Sequence, residues 1–358
     1  MVTFFTRTLF VVLLFSRPVF AAEFIDEIER DFTLRSIGRL QVTNLRGGIT
    51  IQGWALDKVR VKAKRKAIAE NDEEAKKLFG ALDFRYRVID KDIELSAEYG
   101  RGLDINQRLI ERQTPRTSME MVVMAPASLV LRVLSVDGAV SVREWSGPLE
   151  VRTTAGTITI EGIKSPSVSL LCTTCSMKVT DLKGALRCMG DSASIHVKGV
   201  SGDQVYVETV SGSQTLSDVK GEQLYVATSG RINGEKLSGR IEFNSQSGDI
   251  NIADSFGFFS GRTESGNISL KIKEWKFDDK AIIESVKGNV WLGLPAGLSA
   301  DLELMSVHGA VKNAFKLKSL PTAVYGPQPA NMVRGRVGDG GEQLRVSSIN
   351  GNVEIASF

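Results

Sequence analysis

Apolar and polar residues alternate in short runs over most of the chain, and the runs return at a fixed distance. Apolar side chains stand two and four residues after a glycine: Ile158 and Ile160 after Gly156, Ile250 and Ile252 after Gly248, Ile268 and Leu270 after Gly266, Val353 and Ile355 after Gly351. Another falls seven after it, as at Trp145, Ile163, Val219 and Leu237, and a further pair five and seven before it, as at Phe243 and Ile241. The marking glycines are Gly138, Gly156, Gly212, Gly230, Gly248, Gly266, Gly288, Gly309 and Gly351, with Cys175 and Ala193 in the two gaps. Successive marks lie 18 or 19 residues apart as far as Gly266, then 22, 21 and 42 apart.

Alternation with a period of two predicts short strands with one face buried. A unit of this size cannot bury its own apolar face, but units stacked on one another make a continuous apolar column. The pattern therefore predicts an all-β chain folded as a single-stranded β-solenoid, or β-helix, with about 18 residues per rung. The glycine suits a bend that needs positive φ or close backbone approach. Three residues before it runs a ladder of small side chains, including Ser135, Thr153, Cys172, Thr209, Ser245, Thr263, Ser285, Ser306 and Ser348. Such a ladder predicts a tight corner with hydroxyls bonded to the backbone or to each other up the stack.

Before the regular units, Asn44 to Ile51 fits the same template, followed by a strand at Val59 to Ala63. Residues 71–82 then read as a helix, with Asn71 and Glu74 as a capping box and Ala75, Leu78, Phe79 and Leu82 on its apolar face. Phe84 to Tyr99 alternates again and breaks at Asp90-Lys91 in the manner of a hairpin. The expected organisation is a signal peptide over 1–21, an N-terminal strand-helix-strand cap with the first rung over 22–116, and solenoid repeats over 117–315. A Pro/Gly-rich loop over 316–341 and a closing rung over 342–358 complete it. The signal reading rests on Arg7 before the apolar run Thr8 to Phe15 and on Val19-Phe20-Ala21, the small-residue pattern that a signal peptidase cuts near Ala21. It predicts a periplasmic or secreted bacterial protein, with no transmembrane segment once the signal is removed.

Several ordered features together resemble the bacterial "putative adhesin" family, a domain-of-unknown-function group of secreted or envelope β-solenoids. They are the Gly-Gly-Ile-Thr-Ile opening unit, the Val-Arg-Val strand, the Asn-Asp-Glu-Glu-Ala helix and the Ala125-Pro126 passage into Ser135-Val136-Asp137-Gly138. The serial units and a closing Gly338-Asp339-Gly340-Gly341 before Ser348-Ile349-Asn350-Gly351 complete the order. The resemblance implies an envelope location and a part in adhesion or envelope-stress response. It supplies no catalytic residues. Most rungs here depart from the commoner Asn-Gly-Asp corner of that family.

Composition removes some functions from consideration. Forty-five Lys and Arg against forty-two Asp and Glu give a net charge of +3, and the charges are interspersed, so no field favours nucleic acid. The two histidines, His196 and His308, have no partners at metal or triad spacing. Asp181, Asp218, Asp249 and Asp254 stand singly at bends, where aspartate is ordinary turn chemistry. The chain is therefore expected to be non-enzymatic and to need no metal or other cofactor.

Three features remain as candidates. Cys172, Cys175 and Cys188 read as buried thiols or as a structural disulfide, Cys172 with either Cys175 or Cys188, in an oxidising compartment. Trp291 stands in an otherwise short and polar outward row and reads as a stacking platform for a glycan or protein. Arg334 and Arg336, placed inside the Pro/Gly-rich loop, read as a basic contact point. The expected function is an adhesin-like interaction or scaffold protein of the cell envelope, partnering an envelope protein or glycan. Its rivals are a periplasmic sensor partnering a signalling protein and a glycan-active β-helix enzyme.

Overall fold

Short extended segments lie in parallel register on one another, and the register follows the glycine period. The computed structural model describes residues 21–33, 38–102, 115–276, 279–318 and 331–358. The expected signal segment up to Phe20, and Pro321, Pro327 and Pro329 of the expected loop, lie outside these residues.

In chain order the N-terminal part comprises β1 (Ala22–Thr33), β2 (Arg39–Arg46), β3 (Ile49–Trp54), β4 (Lys58–Ala69), the helix α1 (Asp72–Ala81), β5 (Leu82–Ile89), β6 (Asp92–Tyr99) and β7 (Thr117–Pro126). The serial rungs follow as β8 (Val130–Asp137), β9 (Val140–Arg143), β10 (Leu149–Ser211), β11 (Gln214–Ser229), β12 (Ile232–Glu235), β13 (Ser238–Ser247), β14 (Ile250–Ser265), β15 (Ile268–Trp275), β16 (Ala281–Lys287) and β17 (Val290–Leu294). The C-terminal part holds β18 (Ala300–Ser306), β19 (Val311–Asn313), β20 (Met332–Val337), β21 (Gln343–Ser348) and β22 (Val353–Ser357). These strands belong to one continuous sheet wound into a solenoid. Its interior is the column read from the sequence, with Ile158, Ile160, Ile195, Ile232, Ile250, Ile268, Val290 and Val353 all buried.

The regular rungs bend at three places. The first is the marking glycine. At Gly230, φ is +129°, and a Cβ would lie 1.9 Å from the carbonyl oxygen of Gly212 on the preceding rung. Six residues after the mark, Glu144, Asp181, Asp218, Lys236 and Asp254 all hold φ between 50° and 56°. Aspartate tolerates this left-handed conformation better than most residues, because its side chain bonds locally. The third bend falls nine after the mark, at Gly184, Gly221, Gly239 and Gly257.

Corner hydroxyls tie one rung to the next at the C-terminal end of the stack, whereas those of Ser135, Ser245 and Thr263 are buried without a hydrogen-bond partner. Ser285 Oγ donates to the carbonyl of Gly266 at 2.9 Å, Ser348 Oγ to that of Gly288 at 2.8 Å, and Ser306 Oγ to that of Gly351 at 2.7 Å. One residue past the glycine runs a second ladder, in which each side-chain oxygen accepts the backbone N–H of the neighbouring rung. Asp249 accepts from Asn267, Asn267 from Asn289, Asn289 from Asn352 and Asn352 from Ala310, at 2.8 to 2.9 Å.

That ladder reveals an order of rungs that differs from the order of the chain. Its steps are 18 and 22 residues forward, then 63 forward, then 42 back. β22 lies between β17 and β19, and β21 lies between β16 and β18. The closing segment is thus the penultimate layer, and the rung of β18 and β19 is the last. β20 runs antiparallel along the outer edge of β18. The mirror arrangement holds at the other end. β2 is inserted between β6 and β8, and β3 between β7 and β9. β5 and β4 then run antiparallel to β6 and β7, and β1 lies on β4.

The spacing of 21 between Gly288 and Gly309 therefore does not join neighbouring rungs, and the neighbour of Gly288 is Gly351. A Cβ on Gly351 would meet the Gly288 carbonyl oxygen at 2.1 Å, and one on Gly309 would meet that of Gly351 at 2.2 Å. Inlaying β2 and β3 at one end and β21 and β22 at the other places those segments under a covering layer, and antiparallel strands lie along the outer sides of β4, β6 and β18. Edge management of this kind protects a sheet that would otherwise pair with other chains.

The helix joins β4 to β5 at the N-terminal end and packs against β4, β5 and β1. Asn71 accepts the N–H of Glu74 at 3.0 Å, as the capping box requires. The Glu74 carboxylate reaches one residue further back than expected, to the N–H of Glu70 at 2.8 Å. The last turn of α1 has no basic residue of its own. Arg65, from an inward place on β4, supplies one, donating to the carbonyls of Phe79 at 3.1 Å and Leu82 at 2.9 Å and pairing with Asp26 of β1. A cation at a helix C-terminus both satisfies free carbonyls and opposes the helix dipole.

Two outcomes follow. Gly230→Ala forces a β-carbon against a neighbouring carbonyl at positive φ, and thermal or denaturant unfolding should register a loss of about 3 kcal/mol. Gly297→Ala, where nothing stands within 4 Å, should change stability by less than about 0.5 kcal/mol. Acid acts on β1. The Arg60 hydrogen bond holds the Asp31 carboxyl at about 2, below its ordinary 3.8. Its contribution is complete above the ordinary value and disappears as pH falls through the lowered one. Protection of the β1 amides, measured relative to their intrinsic exchange rate, should therefore fall between pH 4 and pH 2 before that of the rungs.

Candidate functional site

The first strand of each rung, just past the marking glycine, lines up with its neighbours into one flat face. Its outward row reads His196, Thr215, Asn233, Asn251, Ser269, Trp291, Glu354 and Lys312 in stack order. Glu354 enters between Trp291 and Lys312 because the closing segment is inlaid, which chain order conceals. Neighbours in such a row are about 4.8 Å apart, so Thr215 and Trp291 stand roughly 19 Å apart. Between them the side chains are short, polar and uncharged, and Asn251 Nδ2 donates to Asn233 Oδ1 at 3.3 Å.

A shallow cavity of about 490 Å³ runs over this stretch, lined by Thr215, Asn233, Asn251, Ser269, Lys271 and Trp291 among others. Trp291 forms one end of it. A Cβ added to Gly293, two residues along the same face, would lie 2.6 Å from Trp291 Cη2. The indole thus lies down across Gly293, and the glycine is buried beneath it. The Phe358 ring adjoins Gly293 from the chain terminus, and Lys271 Nζ stands 5.4 Å from that ring's centroid. The result is an aromatic surface over Gly293 at the end of a row of amide and hydroxyl groups. The sequence holds one sign of it, a glycine where the alternation Val290-Trp291-Leu292 calls for another outward side chain.

Other depressions are less open to a ligand, because their polar groups already serve one another. In the cavity of about 370 Å³ around Tyr206, Leu224 and Arg240, Arg240 Nε donates to Glu242 at 2.9 Å. Beside it, the Tyr206 hydroxyl donates to Glu208 at 2.6 Å. Burial, and then the Glu208 carboxylate, push the Tyr206 phenol above its ordinary range.

The cysteines lie in β10, where the glycine mark is missing. Cys172 and Cys175 are joined by a disulfide. Neither Cys175 nor Ala193 has positive φ, so the corner changes form in these two rungs. A covalent link then closes the bend that glycine closes elsewhere. Gly190 replaces the small side chain on the next rung, and a Cβ there would lie 3.3 Å from Cys172 Sγ. Cys188 is free and wholly buried, and burial pushes its thiol up to about 12. Protonated at neutral pH, it fills the core as a small apolar side chain.

Arg334 and Arg336 differ from their sequence reading. They belong to β20 rather than to a loop, and both guanidiniums are engaged. Arg334 donates to Glu303 at 2.6 Å and Arg336 to Asp301 at 2.9 Å, binding β20 to β18. Glu303 also accepts from Gln343 at 3.0 Å and lies 3.5 Å from Arg345. The hydrogen bond to Asp301 raises the Arg336 pKa further. These arginines serve the end cap, and their charge is balanced. His196 lies on the outer row with Nε2 3.3 Å from Ser194 Oγ, while His308 is on a distant turn. Among the described residues, no three His, Cys, Asp or Glu side chains are grouped to hold a metal ion.

Residues 186–356 match the sequence model of the Toastrack DUF4097 family, which supports the adhesin-family resemblance read from the sequence. The matched stretch contains the whole cavity beside Trp291. No curated protein matches the chain. Among solved structures, the chain is similar to a "putative cell adhesion protein" from Clostridium sporogenes ATCC 15579, at 11% identity over 93% of this chain and 100% of that one, with a TM-score of 0.20. It is also similar to a "putative adhesin" from Bacteroides fragilis NCTC 9343, at 8% identity over 93% and 97%, with a TM-score of 0.23. A third is a "putative lipid binding protein" from Parabacteroides distasonis ATCC 8503, at 10% identity over 92% and 96%, with a TM-score of 0.29.

Proposed function

We propose that this chain, whose residues 186–356 match the Toastrack DUF4097 family, is an adhesin-like, non-enzymatic interaction protein of the bacterial envelope. Its ligand is an extended carbohydrate, held on the face that ends at Trp291. The observation that carries the reading is the indole laid flat over Gly293 at the end of the Thr215–Asn233–Asn251–Ser269 row. A sugar ring offers an apolar C–H face and a rim of hydroxyls, and this surface offers an aromatic plane followed by amide and hydroxyl groups. The regular spacing of rungs presents those groups at equal intervals, which suits a repeating polymer. An extracytoplasmic location agrees with the N-terminal signal pattern, with the Cys172–Cys175 disulfide and with the lack of any described helix long and apolar enough to cross a membrane.

Titration calorimetry against bacterial envelope polysaccharides and their oligosaccharides tests the reading, with the quenching of tryptophan fluorescence as a second signal. At least one neutral oligosaccharide should bind, and Trp291→Ala should weaken it about tenfold, equivalent to about 1.4 kcal/mol. Gly293→Leu should do the same by lifting the indole, with thermal stability nearly unchanged. Glycan binding unaffected by either substitution would remove this face from the function, and turnover of the glycan would replace a binding role with catalysis.

A further inference from the structure

The outermost strand of the N-terminal end is held differently from the rungs of the stack. β1 reads AEFIDEIERDFT, and none of its side chains is buried. Phe24, Asp26, Ile28 and Phe32 are half-covered, and Ile25 is 49% exposed. It runs antiparallel to β4, reading KVRVKAKRKAIA, through twelve paired positions from Ala22↔Ala69 to Thr33↔Lys58. The two strands carry opposite charge in register. Glu27 faces Lys64, Glu29 faces Lys62 and Asp31 faces Arg60. Arg60 forks onto Asp31 with hydrogen bonds of 2.8 and 2.9 Å, Lys58 lies 3.4 Å from the same carboxylate, and Lys62 lies 3.6 Å from Glu29. On the inner side, Arg65 holds Asp26.

The energetics of the two edges of β4 are therefore unequal. Toward the core, β4 pairs with β7 and buries Val59, Val61, Ala63, Ala67 and Ala69. Toward β1 it offers a backbone ladder, a row of cations on the outer face, and on the inner face Val59, Ala63 and Ala67 beside Phe32, Ile28 and Phe24. Exposed ion pairs contribute little, and the apolar anchoring of β1 is confined to Ile28 and Phe32, which pack half-covered against the core, with the Phe32 ring 5.0 Å from that of Tyr86. Such a strand belongs to the easily opened part of a fold. When it opens, β4 presents a free sheet edge about 40 Å long with cations at alternate places, which is a template for strand addition.

We propose that the outer edge of β4 is a second binding site, one that accepts an acidic, alternating extended segment of another protein, and that β1 is its resident occupant. Specificity comes from the register of Arg60, Lys62 and Lys64 against acidic residues at every second position. Affinity comes from the backbone ladder. Arg65 reads one further acidic residue on the inner face, at the place Asp26 now holds. This site lies on the N-terminal end, apart from the Trp291 face, and is independent of the glycan reading.

The test uses the full chain and a fluorescent peptide of sequence AEFIDEIERDFT, with a control peptide carrying lysine in place of its four central acidic residues. In a variant combining Glu27→Lys, Glu29→Lys and Asp31→Lys, the resident strand is repelled by β4. Its amides should exchange with deuterium at least tenfold faster while the rungs retain their protection. The acidic peptide should bind this variant at least tenfold more tightly than it binds the unaltered chain, and should lose affinity as salt is raised from 50 to 500 mM. The control peptide should not bind, and adding Arg60→Glu and Lys62→Glu should abolish binding of the acidic one. On the unaltered chain, high salt alone should raise β1 exchange, which gives the same information without substitution. Loosened β1 amides with no preference for the acidic peptide would overturn the proposal, as would a β1 that stays protected in the variant. A dimer of the unaltered chain that the acidic peptide dissociates would assign the edge to a second copy and overturn the choice of partner.

Discussion

The contact between the α-carbon of a marking glycine and the carbonyl oxygen of the mark one rung away governs the structure. A side chain at Gly230, Gly248 or Gly266 would stand within 2.2 Å of a backbone oxygen, so rungs meet at backbone distance only where the side chain is absent. Between glycine-marked rungs this contact fixes the register. Register in turn brings Ile232, Ile250 and Ile268 over one another in the core, Ser285 and Ser348 onto glycine carbonyls, and the asparagine oxygens onto neighbouring N–H groups. A slip by one residue would exchange the core and solvent faces of a whole strand. Where glycine is missing, at Cys175 and Ala193, the chain uses a disulfide and a glycine shifted to position 190.

The same register builds the outer face. Because successive rungs repeat backbone geometry, Thr215, Asn233, Asn251, Ser269 and Trp291 stand in a straight row. The one break in the alternation, Gly293, lets the indole lie down. The site is thus a by-product of the solenoid until a glycine in an outward place turns a side chain into a platform. The N-terminal end uses different physics. There the regular core has run out, and β1 is fixed by backbone pairing, by charges at alternate positions and by the half-covered Ile28 and Phe32, with Arg65 joining strand, helix end and acidic partner.

The repeat, the strand alternation, the small corner ladder and the helix with its Asn71 cap were legible in the sequence, because each follows from local spacing. What remained hidden depends on non-local order. No local signal states that Gly351 neighbours Gly288 before Gly309, or that β2 and β3 enter beneath β6 and β7. Without that order Glu354 cannot be placed beside Trp291. Asp181, Asp218 and Asp254 were read singly as bends, but the period of the bends six and nine residues past the mark was missed. Aspartate and glycine there are common in any turn, and their period emerges only once the rungs are aligned. Arg334 and Arg336 looked free because the carboxylates that hold them, Glu303 and Asp301, lie on a strand some thirty residues earlier.

The inlaid order of the C-terminal rungs is the feature on which the stack, its end cap and the row beside Trp291 all depend. Paired cysteines on the outer face test it directly, since a disulfide forms only when α-carbons lie within about 7 Å, which one rung spacing satisfies and two do not. Under mild oxidation, Trp291→Cys with Glu354→Cys should crosslink, while Trp291→Cys with Lys312→Cys should stay reduced. Efficient crosslinking of positions 291 and 312, with none between 291 and 354, would contradict the inlaid order and return the rungs to the order of the chain.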